Sequence, residues 1–393
     1  MKGTNQKQFV LSYALLMYMV GIVLLITLIP FQFYIPHEIS DIWGVYLNDS
    51  ITNFVLFIPL GFLFRLSRRN HRDTLCIKAL GFGIIVSVAI EITQVFLLGR
   101  YTSVIDVMTN GAGAWVGALI FTLMKGHLDE TRIAGVFALE LPLMNLVYLL
   151  IPLIWLNSLS AGHEVSRVWL LVVLGLFGAI VLCSVYMHRL RYIERLSSNK
   201  LTLLAMGWFF VAALPALVHF PVQGILCGIG VGVIVRIITT FQRKSTQSER
   251  RFELPTLRRL LPLYIFYLLL LALWPTTVAF GEWQEVIHFQ DLMFNERVVF
   301  IFRFVEYIAA FTLLGYIVAE MRGRKQESVT KILMWILLLS LSCVIGIVFL
   351  KGHTLLSVVT LIEVALITGA SLYGGIIYRL QLAAIQRENG VKP

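Results

Sequence analysis

The chain has 393 residues, 58% of them hydrophobic and 14% charged, with a formal net charge of +10, and its mean hydropathy is +0.84. A soluble domain of that length needs more polar surface, and a closed β-barrel alternates polar and apolar residues in short strands, so both classes are excluded. Apolar runs of about 20 residues recur, long enough to cross a bilayer as α-helices. The reading is an all-α, polytopic membrane protein of about twelve transmembrane helices in three four-helix blocks.

In chain order the apolar runs fall at 9–30, 51–66, 75–98, 104–124, 134–156, 167–187, 201–219, 222–241, 260–280, 298–319, 330–350 and 355–378. The first is longer than the core of a signal peptide and no small-residue cleavage site follows, so it reads as a retained helix. The runs group as a first block at 9–124, a middle block at 134–241 and a C-terminal block at 260–378. Between the last two lies a basic cytoplasmic linker, QRKSTQSERRFELPTLRR (242–259), the best candidate boundary. Cys76, Cys183, Cys227 and Cys343 all fall inside apolar runs without CxxC spacing, which reads as reduced packing residues.

Lys and Arg set the orientation. With the N-terminus in the cytoplasm, all of the 32 Lys and Arg but Arg100, Arg167, Arg297, Arg303 and Lys351 fall on the cytoplasmic side. Twelve crossings then leave both termini inside, and the basic loops meet anionic inner-leaflet lipids. Nucleic acid is not a partner, because the basic residues are not interleaved with stacking aromatics on a polar face.

An internal repeat is legible. LLITLIPFQF (24–33) resembles LLALWPTTVAF (270–280), VFLLG (95–99) resembles VFLKG (348–352), and GAWVGALI (113–120) resembles GASLYGGII (369–377). The C-terminal block therefore reads as a degenerate, parallel repeat of the first. Shared apolar composition is the competing explanation.

Polar residues concentrate where an apolar chain least accommodates them. VAIEITQVFLLGRYTSVIDVMTNGAG (88–113) holds Glu91, Gln94, Arg100, Asp106 and Asn110, and Asn53 precedes the next helix's PLG segment in NFVLFIPLGFLF. Glu91 and Gln94 are three apart, Asp106 and Asn110 four apart, so each pair shares a helical face. The end of the third run near Leu98 puts Glu91 and Gln94 about 6–10 Å below the outer surface at the helical rise. Gly113 and Gly117 form a small-xxx-small seam, and Pro59 with Gly61 interrupts the second helix toward the same pocket. Intramembrane ionisable groups read as functional by default, while Asn and Gln also serve as glue between helices, and Arg100 with Asp106 can simply pair at a turn. Converging on one outer-leaflet pocket, the six residues favour a ligand site.

These residues resemble the VanZ-like family, a four-helix bacterial membrane module marked by an asparagine before a PLG helix, E-x-x-Q, an arginine and D-x-x-x-N-x-x-G. Here those positions are Asn53, Pro59 to Gly61, Glu91, Gln94, Arg100, Asp106, Asn110 and Gly113, and the match covers residues 9–124. The resemblance implies an envelope role, with a link to glycopeptide and teicoplanin resistance, and implies no reaction. The C-terminal block departs from it, with no arginine at the matching turn and no D-x-x-x-N. It carries other intramembrane charges, Arg303 with Glu306 three residues on, and Glu363, read as an internal ion pair or as a second polar pathway.

Other chemistry is absent from the pattern. No HExxH or comparable metal spacing, GxSxG elbow, Walker motif or GxGxxG occurs, and GFG (81–83) and GIGVG (228–232) read as packing glycines inside helices, so no metal and no cofactor are expected. Two functions stay open. In one, the pocket binds or moves an amphiphile, a lipid-linked envelope intermediate or a lipoglycopeptide, with Arg100 on an anionic head group and Asn53, Gln94 and Asn110 on its polar parts. In the other, Glu91 and Asp106 share acid/base work in an enzyme acting on a lipid head group. A structural membrane subunit is the third alternative, and the oligomeric state is not legible.

Overall fold

The structure is a computed structural model that describes residues 5–29, 31–33, 35, 47–68, 74–97, 100–126, 143–163, 165–190, 197–241, 252–273, 294–323, 325, 327–350 and 358–388. Thirteen α-helices run among the described residues. The first four are α1 (Asn5–Thr27), α2 (Leu47–Ser67), α3 (Thr74–Gln94) and α4 (Val104–Gly126). Next come α5 (Met144–His163), α6 (Leu170–Val185), α7 (Ser198–Ala212), α8 (Leu214–His219) and α9 (Pro221–Phe241). The last are α10 (Glu253–Leu273), α11 (Phe294–Gly323), α12 (Val329–Leu350) and α13 (Val358–Glu388). Nine described segments are long and apolar enough to cross a membrane, and Ser12–Thr27 is a shorter apolar helix. The chain is a polytopic, helical, multi-pass membrane protein.

The run at 201–219 is two helices rather than one. Pro215 lies in the first turn of α8, where its missing N–H costs nothing, and the chain breaks at Ala213 just before it. The run at 167–187 opens with a 3-10 turn, Val165–Trp169, and closes with a π turn, Tyr186–Leu190.

Two compact units divide the chain, Met1–Ala134 with Gln386–Pro393, and Gly135–Ile385. The division thus precedes the middle block, whereas the sequence favours the basic linker; of that linker, residues 242–251 lie outside the described residues. Polar bonds between the middle and C-terminal blocks explain why they share a unit. Asn157 on α5 donates to the Tyr267 hydroxyl of α10 at 2.9 Å, Ser184 and Thr256 share a hydrogen bond at 2.7 Å, and Arg167 meets Glu306 of α11.

In the first unit α2 and α4 cross backbone to backbone. A side-chain carbon on Gly61 would lie 1.8 Å from the Ala114 carbonyl oxygen, one on Gly113 2.0 Å from that of Phe54, and one on Gly117 2.0 Å from that of Ile58. Only glycine allows this approach, the small-residue packing that holds helices together where lipid removes the hydrophobic drive. α2 continues through Pro59, and Leu56, Phe57 and Leu60 of α2 and Ala114 and Ala118 of α4 are all buried. On α1, Leu15, Leu16, Met19, Ile22, Val23 and Ile26 are buried, the three-and-four spacing of one helical face.

Candidate functional site

At the end of the first unit where α1 and α3 finish and α2 and α4 begin, polar side chains meet in layers. α3 presents Ser87, Glu91 and Gln94 along one face, and α4 begins behind Ser103 and presents Asp106 and Asn110. In the deepest layer, the Asn110 amide donates to Ser87 Oγ at 2.9 Å, and Asn110 is 2% exposed. Its Oδ1 is buried with no hydrogen-bond partner among the described residues.

One turn nearer the end lie the carboxylates. The Ser103 N–H donates to Glu91 Oε2 at 2.9 Å, and Ser103 Oγ accepts from the Ile105 N–H at 3.2 Å, so Ser103 caps α4. Asp106 is in the first turn of α4 and accepts from the Ser50 hydroxyl of α2 at 2.6 Å. The charges of Glu91 and Asp106 interact. Two carboxylates at one helix N-terminus repel each other, and the helix dipole offsets part of that repulsion.

The outermost layer fastens the end of α1. Gln94 Nε2 donates to the Thr27 carbonyl at 2.9 Å, and Arg100 Nε donates to the Ile29 carbonyl at 2.8 Å. Phe31 has φ of 58°, left-handed and uncommon for a bulky residue, and Phe33 pairs with Leu97 as an antiparallel bridge. Strain of this kind persists only where neighbouring contacts over-determine it, and the Arg100 and Leu97 contacts do so here. α3 ends at Gln94, short of the Leu98 that its apolar run reaches, because Phe96 and Leu97 turn back onto the Thr93 and Gln94 carbonyls. Glu91 is therefore in the last turn, about 4–5 Å along the axis from the helix end.

Glu91 and Gln94 are each 9% exposed, while Arg100, Asp106 and Asn53 are half-buried. Asn53 lies one turn beyond Ser50 on the same face of α2, and its side chain has no hydrogen-bond partner among the described residues. Sequence reasoning passed over Ser50, Ser87, Ser103 and the α1 carbonyls. A Ser-x-x-Asp capping pattern marks Ser103, and Ser87 is one turn before Glu91, so both were findable; nothing in the sequence points to a carbonyl.

The other intramembrane charges lie in the second unit. Glu306 pairs with Arg167 at 2.6 Å, both fully buried, so its partner comes from the 3-10 turn ahead of α6. The charges of both act on Tyr267. Arg303 is one turn before Glu306 on α11 and half-buried. Glu363 belongs to α13, and its side chain is outside the described residues. Among the described residues no group of three His, Cys, Asp or Glu side chains is placed to hold a metal ion.

Residues 4–125 match the family described as VanZ/LLP1. Protein VanZ of Enterococcus faecium is 28% identical over 87 residues, 22% of this chain and 52% of that protein. The chain thus spans about half the length of the curated relative it matches. No solved structure matches.

Proposed function

Taking residues 4–125 as a VanZ/LLP1 domain, we propose that the chain is a bacterial envelope protein whose first unit binds or moves an amphiphile. The amphiphile is a lipid-linked envelope intermediate or a lipoglycopeptide, and the activity contributes to glycopeptide resistance of the teicoplanin kind that the family resemblance implies. The observation that supports this most is the gathering of Glu91, Asp106, Ser50 and Arg100 at one end of four apolar helices, with Asn53 beside them and without a hydrogen-bond partner among the described residues. The distribution of positive residues supports an orientation with that end on the outer face of the cytoplasmic membrane and both termini inside.

The chemistry divides by layer. Glu91 and Asp106 accept from hydroxyl or ammonium groups of the head group, and the guanidinium of Arg100 takes an anion such as phosphate, in a fork that lysine does not reproduce. Asn53 supplies both a donor and an acceptor. Acyl chains lie against the apolar outer faces of α3 and α4, where Ile85, Ile92 and Met108 are exposed.

Teicoplanin susceptibility of cells carrying Arg100→Lys or Glu91→Gln, read beside melting in detergent, tests the reading. Protection should be lost while both proteins stay folded. Unfolding of both variants would mean that the cluster only fastens helices and that the reading is wrong.

One observation favours a second reading. Ser50 donates to Asp106 at 2.6 Å, the pairing of a hydroxyl with a base that activates nucleophiles. As an enzyme, the unit would use that pair for transfer or hydrolysis on a lipid head group. Ser50→Ala then abolishes activity, whereas in a binding site it removes one hydrogen bond, about 1 kcal/mol.

A further inference from the structure

The resemblance between the first and C-terminal blocks recurs in packing geometry. In the first block, a carbon on Gly61 of α2 meets the Ala114 carbonyl oxygen of α4 at 1.8 Å; in the last block, a carbon on Gly315 of α11 meets the Ser371 carbonyl oxygen of α13 at 1.9 Å. A carbon on Gly117 meets the Ile58 oxygen at 2.0 Å and the Phe62 nitrogen at 2.8 Å. One on Gly374 meets the Thr312 oxygen at 1.9 Å and the Tyr316 nitrogen at 2.8 Å. Phe62 and Phe121 form an edge-on ring pair with planes at 80°, and so do Tyr316 and Tyr378.

These matches share one register. Ile58, Gly61 and Phe62 correspond to Thr312, Gly315 and Tyr316 with an offset of 254 throughout, and Ala114, Gly117 and Phe121 correspond to Ser371, Gly374 and Tyr378 with an offset of 257 throughout. Close packing through glycine brings some carbonyl near some glycine in any pair of helices. It does not by itself place a second glycine, a backbone nitrogen and a ring pair at the same steps on both helices.

We propose that α10–α13 is a second copy of the α1–α4 module, which has kept the helix crossing and lost the polar site. The same offsets set Phe304 against Ser50, Tyr307 against Asn53 and Ile367 against Asn110, with Glu363 at the register of Asp106. Three polar positions have become aromatic or aliphatic, so the chain offers one head-group site and not two. The site count rests on the head-group reading above; the duplication does not. Register also sets Ala370, and not Gly369, against Gly113.

Disulfide cross-linking in membranes tests the register. A carbon on Gly113 falls 3.2 Å from Phe57 Cβ, and the offsets carry that pair to Phe311 and Ala370. The double variant Phe311→Cys/Ala370→Cys should close a disulfide, because bonded Cβ atoms lie roughly 3.5–4.5 Å apart, and Phe311→Cys/Leu366→Cys, one turn away, should not. Closure of the shifted pair, or of neither, overturns the duplication. An experimental structure in a lipid nanodisc supplies a measurement without mutation. Superposing Gly61 and Gly117 on Gly315 and Gly374 should bring α1 onto α10 and α3 onto α12; a different order of neighbours overturns the proposal. For the site count, Phe304→Leu and Ile367→Val should leave teicoplanin susceptibility of cells at the wild-type value, and loss of protection at either overturns the single site. If Arg100→Lys leaves protection intact, the head-group reading fails and the cross-linking result still stands by itself.

Discussion

Glu91, Gln94 and Asn53 are all polar residues near one end of an apolar bundle, and the structure gives them different work. Gln94 satisfies the last carbonyl of α1, that of Thr27, in a buried bond. Gln94→Leu leaves that carbonyl unpaired and should cost about 1–3 kcal/mol, read as a lower melting temperature. Asn53 has no described partner to lose, so Asn53→Ala should change stability by no more than about 0.5 kcal/mol while weakening protection against teicoplanin. A large drop in melting temperature for Asn53→Ala would show it to be structural glue. Arg100 stands between the two. A lysine can reach the Ile29 carbonyl with one of its three donors, so Arg100→Lys should cost about 1 kcal/mol or less in stability, and the remaining deficit is read in the resistance assay.

Two contacts between elements give substitutions a defined physical cost. The first is the α2–α4 crossing, where backbone touches backbone at Gly61 and Gly117. Gly117→Ala forces the helices apart and should cost at least about 1–3 kcal/mol, the usual penalty of overpacking, measured by thermal melting in detergent. Gly81, beside which a side-chain carbon meets nothing, is the control and should tolerate alanine without loss. The second is the link from the 3-10 turn to α11, the fully buried pair of Arg167 and Glu306. Arg167→Met strands a buried carboxylate and should cost about 3–5 kcal/mol, and adding Glu306→Leu should recover most of that. If the double variant melts no higher than the single one, the cost lies in packing around Arg167 and not in the unpaired charge.

At the scale of the whole chain, charge and apolar length determine how the helices thread the membrane. Tyr101→Cys, in the exposed turn between α3 and α4, should react with an impermeant maleimide added outside cells. Ser328→Cys, in the exposed turn before α12, should react only after the membrane is opened. The reverse pattern would overturn the orientation and with it the outward placing of the site. The two-unit division adds that the middle and C-terminal blocks should melt together, since buried bonds such as Asn157 to Tyr267 cross between them.

The amino-acid sequence alone determined the class and the approximate place of most spans, because a bilayer imposes a length and an apolar composition on anything that crosses it. Its boundaries fail by seven residues where α10 starts, at Glu253 inside the stretch read as linker, and where α5 ends, at His163 rather than 156. It also singled out Glu91, Gln94, Arg100, Asp106 and Asn110, because charge and amide groups stand out against an apolar background and helical spacing shows which of them share a face. Only the tertiary structure decided which groups those residues bond. The Thr27 and Ile29 carbonyls and the Ser103 N–H are backbone atoms with no signature in the residue string, and Ser50 comes to Asp106 from 56 residues away. The same holds for Arg167, which is one cation among several until folding carries it 139 residues along the chain to Glu306. Partners this distant are set by how helices cross; the sequence shows the Gly113 and Gly117 seam, but the carbonyls it meets, those of Phe54 and Ile58, are known only once the facing backbone is in place.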